Sequence, residues 1–123
     1  MMVLKPAPEE LEEMPAQGPP VYTKMNPSIV VSYQTGDKVR FLQITLEAMA
    51  RSEASIEAFE LHAPRIRNNL LMLFASESLE FMSTTEGKEA MRQRSLEEVN
   101  AILGEESPPT RIEDIYFTAF VVQ

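Results

Sequence analysis

Asp114-Ile115-Tyr116-Phe117-Thr118-Ala119-Phe120-Val121-Val122-Gln123 is the stretch on which the reading of this chain turns. β-branched and aromatic residues dominate it and no Gly or Pro interrupts it, so it predicts a β-strand. Alternation sends Ile115, Phe117, Ala119 and Val121 to one face and Tyr116, Thr118, Phe120 and Val122 to the other. Both faces are then largely apolar. Such a strand needs cover on two sides, from its own domain or from another subunit.

Working back from it, Pro108-Pro109 make a rigid link to a helix that Gly104 is placed to end. Ser83-Thr84-Thr85-Glu86 has the spacing of a capping box and opens that helix, with Leu96, Val99 and Leu103 on one side. In Arg65–Ala75 the residues Ile66, Leu70, Leu73 and Phe74 recur at helical spacing. Pro64 stands at its start as a kink or an N1 residue. Ser52 is the expected N-cap of Glu53–Leu61, with Ile56 and Phe59 facing inward. Before that, Leu42, Ile44, Leu46 and Ala48 alternate with Gln43, Thr45 and Glu47 within Val39–Ala50, the period of a half-buried strand. Ile29–Tyr33 is a shorter strand, and Thr35-Gly36-Asp37 supplies the turn of an antiparallel hairpin. The order strand, strand, helices, strand predicts an α+β domain: an antiparallel sheet of about three or more strands with helices packed on one face.

Residues 1–21 read as a separate Pro/Glu-rich linker, with a short helical turn over Glu9–Met14 compatible with its pattern. Residues 22–123 form the domain. The whole chain's 123 residues and 44% hydrophobic content suffice for one core. A net charge of -8 argues against nucleic-acid binding. The absence of cysteine excludes disulfides, thiolate metal sites and a cysteine nucleophile. No apolar run approaches the roughly 18 residues that span a bilayer. Residues 1–20 also lack the apolar core of a signal peptide, so the chain is expected to stay soluble and untranslocated unless a membrane or export segment has been removed from its N-terminus.

Chemistry is sparse. His62 is the one histidine, and it has no cysteine or second histidine to share a metal with. The acids, such as the pairs Glu77/Glu80 and Glu97/Glu98, are scattered along solvated faces with no apolar pocket to separate two carboxyl pKa values. Gly87-Lys88 lacks the upstream glycine of a phosphate loop, and Glu89 stands where Ser or Thr belongs. Ser95 and Ser107 have no flanking glycines of a nucleophile elbow. The expectation is a non-enzyme with no cofactor and no metal. Arg65, Arg67 and Asn68 at the start of the central helix are candidate partner contacts, because a helix N-terminus is not where cations are favoured. Phe117, Phe120 and Val122 are candidates on the closing strand. The eight methionines are read as core filling ahead of a binding surface.

These segments, taken in order, resemble a known family. Ile66-Arg67-Asn68-Asn69-Leu70-Leu71 followed by Leu73-Phe74-Ala75-Ser76 resembles the central helix of the flagellar basal-body-associated FliL proteins. Thr85-Glu86-Gly87-Lys88-Glu89-Ala90-Met91-Arg92 resembles that family's Gly-Lys helix start, and Asn100 with Leu103 its N-x-x-L end. Tyr116 to Gln123 resembles its C-terminal signature, and Pro27–Arg51 its N-terminal hairpin; Ser32-Tyr33 stand where the family often has Asn-Leu. The resemblance implies a stomatin/prohibitin-like fold, in the periplasm, on a single-pass inner-membrane protein whose N-terminal helix is absent from this chain. It further implies homo-oligomeric rings around flagellar stator units of the MotA-MotB type, supporting torque, swimming and swarming, with no catalysis and no cofactor. The alternatives are a stomatin-like adaptor of another membrane complex, or a small enzyme or ligand carrier whose site is assembled from scattered acids, which a deep pocket holding His62 with two carboxylates would support.

Overall fold

The computed structural model describes residues 18–123, so the turn expected over Glu9–Met14 lies outside the described residues. The described residues form four strands and four helices, in order β1 (Val21–Lys24), β2 (Ile29–Thr35), β3 (Lys38–Ala50), α1 (Glu53–Leu61), α2 (Ala63–Ala75), α3 (Leu79–Met82), α4 (Thr85–Leu103) and β4 (Asp114–Val122). This is an α+β domain on an open antiparallel sheet, as the element order predicts.

β3 organises the sheet. Its 13 residues pair along one edge with β4, from Leu42↔Val122 to Met49↔Asp114. Along the other edge they pair first with β2, Lys38↔Thr35 to Ile44↔Ile29, and then with β1, Glu47↔Lys24 to Ala50↔Val21. β1 and β2 therefore share one edge, end to end, and the four strands fill three positions. The β2–β3 turn is the two-residue Gly36-Asp37. Only Gly36 has positive φ (68°), the pattern of a II′ turn whose twist suits a hairpin. β1 was not expected from the sequence: Val21-Tyr22-Thr23-Lys24 is too short and too close to prolines to signal a strand on its own.

The core lies between β3 and the helices. Leu42, Ile44, Leu46 and Ala48 are all fully buried, which confirms the period-two reading, and they meet Phe59, Ile66, Leu70, Phe74, Met91, Val99 and Leu103 from the helices. Each large side chain so buried contributes roughly 2 kcal/mol. Ser52 caps α1 by accepting from the Ser55 amide, and Pro64 lies in the first turn of α2, so His62 ends one helix and begins the next. Arg51 pairs with Glu113 at 2.7 Å, tying the end of β3 to the approach of β4.

Two details differ from the sequence reading. The cap of α4 is Thr84, whose hydroxyl accepts from the Gly87 amide, rather than Ser83, whose hydroxyl donates to the Leu79 carbonyl of the short helix α3. The closing strand is also not regular. Leu46 pairs with Phe117 and the adjacent Thr45 with Ala119, so Thr118 is a bulge. The extra residue switches the phase of alternation. Ile115 and Phe117 pair with Ala48 and Leu46, and Phe120 and Val122 pair with Ile44 and Leu42, so all four lie on the core side. The outer face carries Tyr116, Ala119 and Val121. The expected opposition of Phe117 to Phe120 and Val122 is thus corrected.

Candidate interaction surfaces

The sequence-predicted contacts on α2 divide. The Arg67 guanidinium donates to the Ser28 carbonyl at 3.3 Å and to the Pro27 carbonyl, binding α2 to the β1–β2 connection. Those carbonyls lie in an irregular segment with no strand partner there, and Arg67 supplies the donors. Arg65 is more exposed and pairs with Glu105, 2.7 Å away, just past the end of α4. The Asn68 side chain is exposed and reaches only Asn69 (3.2 Å) and the Met72 sulfur (3.8 Å) on its own helix. Arg65 and Asn68, with exposed Leu71 and Met72, present an outward stripe at helical spacing.

On β4, the Phe117 ring meets Phe74 edge-to-face at 5.8 Å, and the Lys88 ammonium lies 4.5 Å over the Phe120 ring. Both rings pack partly buried against the core. Val122 is more open, at 36% exposure. The start of the strand is held by Arg92, which pairs with Asp114 and with Glu89 (2.6 Å) and donates to the Ile115 carbonyl at 3.4 Å. Asp114 in turn accepts from the Ile115 amide at 2.8 Å. The hydrogen bonds from Arg92 and then from Gln93 hold the Glu89 carboxyl down at about 2, well below its ordinary 4.5. The same contacts with Glu89 raise the Arg92 guanidinium above its ordinary value.

Asn100 joins α4 to the strand from the other end. Its amide donates to the Ile112 carbonyl at 2.9 Å and accepts from the Ile112 amide at 2.7 Å. This copies the pairing of a neighbouring strand, so a fully buried residue leaves neither backbone group orphaned. Tyr33 does similar work for the hairpin: its hydroxyl donates to the Phe74 carbonyl at 2.8 Å near the end of α2. Burial, and then the nearby Glu77 charge, push its pKa up. These contacts did not emerge from sequence, because each joins residues far apart in the chain.

The surface that sequence reasoning missed is the outer face of the sheet. Among the described residues the helices cover only the Leu42–Ala48 side. On the other side Val30, Val39, Phe41 and Val121 are exposed, with Val30 and Val121 flanking Gln43 on its two neighbours. Tyr22 and Tyr116 face each other at 6.4 Å nearer the far end. A signal was present in Val39 and Phe41, which are apolar at positions out of phase with Leu42 and Ile44.

Reactive chemistry does not converge. His62 Nε2 lies 2.5 Å from Glu106 Oε1, each side chain about 30% exposed, and among the described residues no second carboxylate joins them. Among the described residues no cluster of three His, Asp or Glu is placed to hold a metal. An open cleft of about 320 Å³ is lined by Asn100, Gly104, Pro109, Thr110 and Arg111, a set with no nucleophile and base side by side. No described helix is long and apolar enough to cross a membrane.

A family model described as flagellar basal body-associated protein FliL matches residues 22–123. The chain is similar to the flagellar protein FliL of Aquifex aeolicus (strain VF5), 23% identical over 112 residues that cover 89% of this chain and 67% of that protein. It is also similar to the flagellar protein FliL of Escherichia coli (strain K12), 25% identical over 104 residues that cover 85% and 66%. The chain thus spans about two thirds of the length of these curated relatives. The family is one of flagellar accessory proteins and not of enzymes. With the family matched from the first strand to the last residue, the chain belongs to the FliL family of flagellar basal body-associated proteins.

Proposed function

We propose that this domain is a mechanical scaffold of the flagellar motor: a periplasmic, stomatin/prohibitin-like domain that assembles as a homo-oligomeric ring around stator units of the MotA-MotB type and supports torque. Residues 1–21 act as a spacer between the domain and a single inner-membrane helix preceding it. The observation that carries the reading is the family match across residues 22–123. The mechanism is differential binding. Subunits hold a stator in its active state only if they bind that state more tightly than the inactive one, since equal affinity for both shifts nothing. Arg65 and Asn68, exposed at the start of α2, and Val122 on β4 are the proposed contacts from the sequence-predicted set. Arg67, Phe117 and Phe120 position the elements that carry them.

Torque is the decisive readout. Deleting the gene is expected to lower swimming speed in viscous medium and to shrink swarms, with filaments still assembled. Unchanged torque under load would refute the motor role. Arg65→Glu with Asn68→Asp, in a protein of unchanged melting temperature, is expected to reproduce part of the loss.

A further inference from the structure

Two surfaces of this chain are each incomplete, and they lie at opposite ends of one strand. The first is the free end of the β2–β3 hairpin, where Lys38 to Phe41 are all exposed. Val39 and Phe41 point to the outer sheet face, at 54% and 45% exposure, and Lys38 and Arg40 to the other. The second is the outward ridge of α1. Glu53, Glu57 and Glu60 recur at helical spacing, all exposed, and the helix ends on Leu61, at 71% exposure. α1 carries no Lys or Arg. Among the described residues, none of Lys38, Arg40, Glu53, Glu57 and Glu60 takes part in an ion pair.

We propose that the hairpin of one copy docks onto the α1 ridge of a second copy, head to tail. The apolar side of the hairpin would rest on Leu61. The long stems of Lys38 and Arg40 let their charged heads reach past the strand edge to the glutamates. The charges are opposite, and among the described residues neither set has an oppositely charged partner, Glu60 only accepting from the Thr23 hydroxyl at 3.4 Å, so association pairs charges that the domain leaves unpaired. One chain cannot make this contact with itself. β3 begins at the hairpin and ends just before α1, a span of roughly 40 Å for its 13 residues. A contact between two different surfaces is heterologous, and it closes into a ring when the rotation per subunit permits. The inference rests on the ring assembly proposed above and adds the faces that form it.

The chain has no cysteine, so the test needs no background removal. Val39→Cys and Leu61→Cys are placed together in the full chain at high concentration under mild oxidation. Both sites are exposed, so the fold tolerates the changes. A ladder of dimers, trimers and higher species is expected from the double variant, against a trace of dimer from either single variant. Adding Arg40→Glu should weaken the ladder roughly tenfold, and adding Glu57→Arg to that should restore it. No ladder, a ladder indifferent to the charge reversals, or strong dimers from one single variant would overturn the proposal. Light scattering on the unmodified chain separates the two readings. Higher mass without a ladder rejects these faces and leaves ring assembly standing, whereas monomer without a ladder counts against both.

Discussion

Gly87 shows how far one atom decides a local structure. A Cβ built on it would lie 1.8 Å from the Phe81 carbonyl oxygen and 2.9 Å from the Thr84 hydroxyl, so α3 passes directly over the first turn of α4. The neighbour is backbone and cannot swing away. Gly87→Ala is therefore expected to cost about 3 kcal/mol in chemical denaturation, through overpacking, although alanine is the better helix former. A change within ±0.5 kcal/mol would show that α3 is free to move aside. Glu89 gives a second test at this scale. Its folded pKa of about 2 lies below the ordinary 4.5, so its ion pair adds stability above pH 4.5 and loses it as pH falls toward 2. In Arg92→Met the Glu89 carboxyl, followed by NMR, is expected to titrate at higher pH, most of the way back toward its ordinary value. A value still near 2 would assign the depression to Gln93, the next contributor.

At the scale of elements, what the sequence revealed followed from local pattern, and what it concealed followed from distance. Ser52, Pro64, the Leu42–Ala48 alternation and the Ile66–Leu70–Phe74 stripe each announce an element through residues within one or two turns of each other, and each stands in the structure as read. The internal role of Arg67 was hidden because its partners, Pro27 and Ser28, lie about forty positions away. The bulge at Thr118 was hidden for a different reason. Nearly every residue from Ile115 to Val122 is apolar or small, so alternation has no contrast with which to reveal a change of phase. The bulge carries its own prediction. Deleting a strand residue normally turns every later side chain to the wrong face. Deleting Thr118 instead leaves Phe120 and Val122 on the core side, because it restores a regular ladder. That variant is expected to fold with a loss under about 2 kcal/mol, whereas deleting Gln43 from β3 should abolish cooperative melting. Equal damage from the two deletions would contradict the register.

Across the described residues the molecule is a sheet with helices on one side only, and this asymmetry gives adjacent residues opposite importance. Leu42 is fully buried between β3 and the helices, and Phe41 looks out from the uncovered face. From composition alone the larger aromatic would be expected to matter more to stability. The fold reverses that order. Leu42→Ala removes buried methylenes and leaves a cavity the helices cannot fill, at an expected cost of about 3 kcal/mol. Phe41 is 45% exposed on the face without helices, so Phe41→Ser leaves no cavity, and stability should move by no more than about 1 kcal/mol. The same substitution should lower binding of a dye selective for exposed apolar surface, because it removes the largest side chain from the Val30, Val39 and Val121 cluster. Leu42→Ala, by loosening the core, should raise dye binding instead. Thermal melting and dye titration on the two variants therefore move independently if helices cover one face only. A Phe41→Ser variant that melts as early as Leu42→Ala would mean that the outer face is packed within the monomer, and that it is closed to a partner.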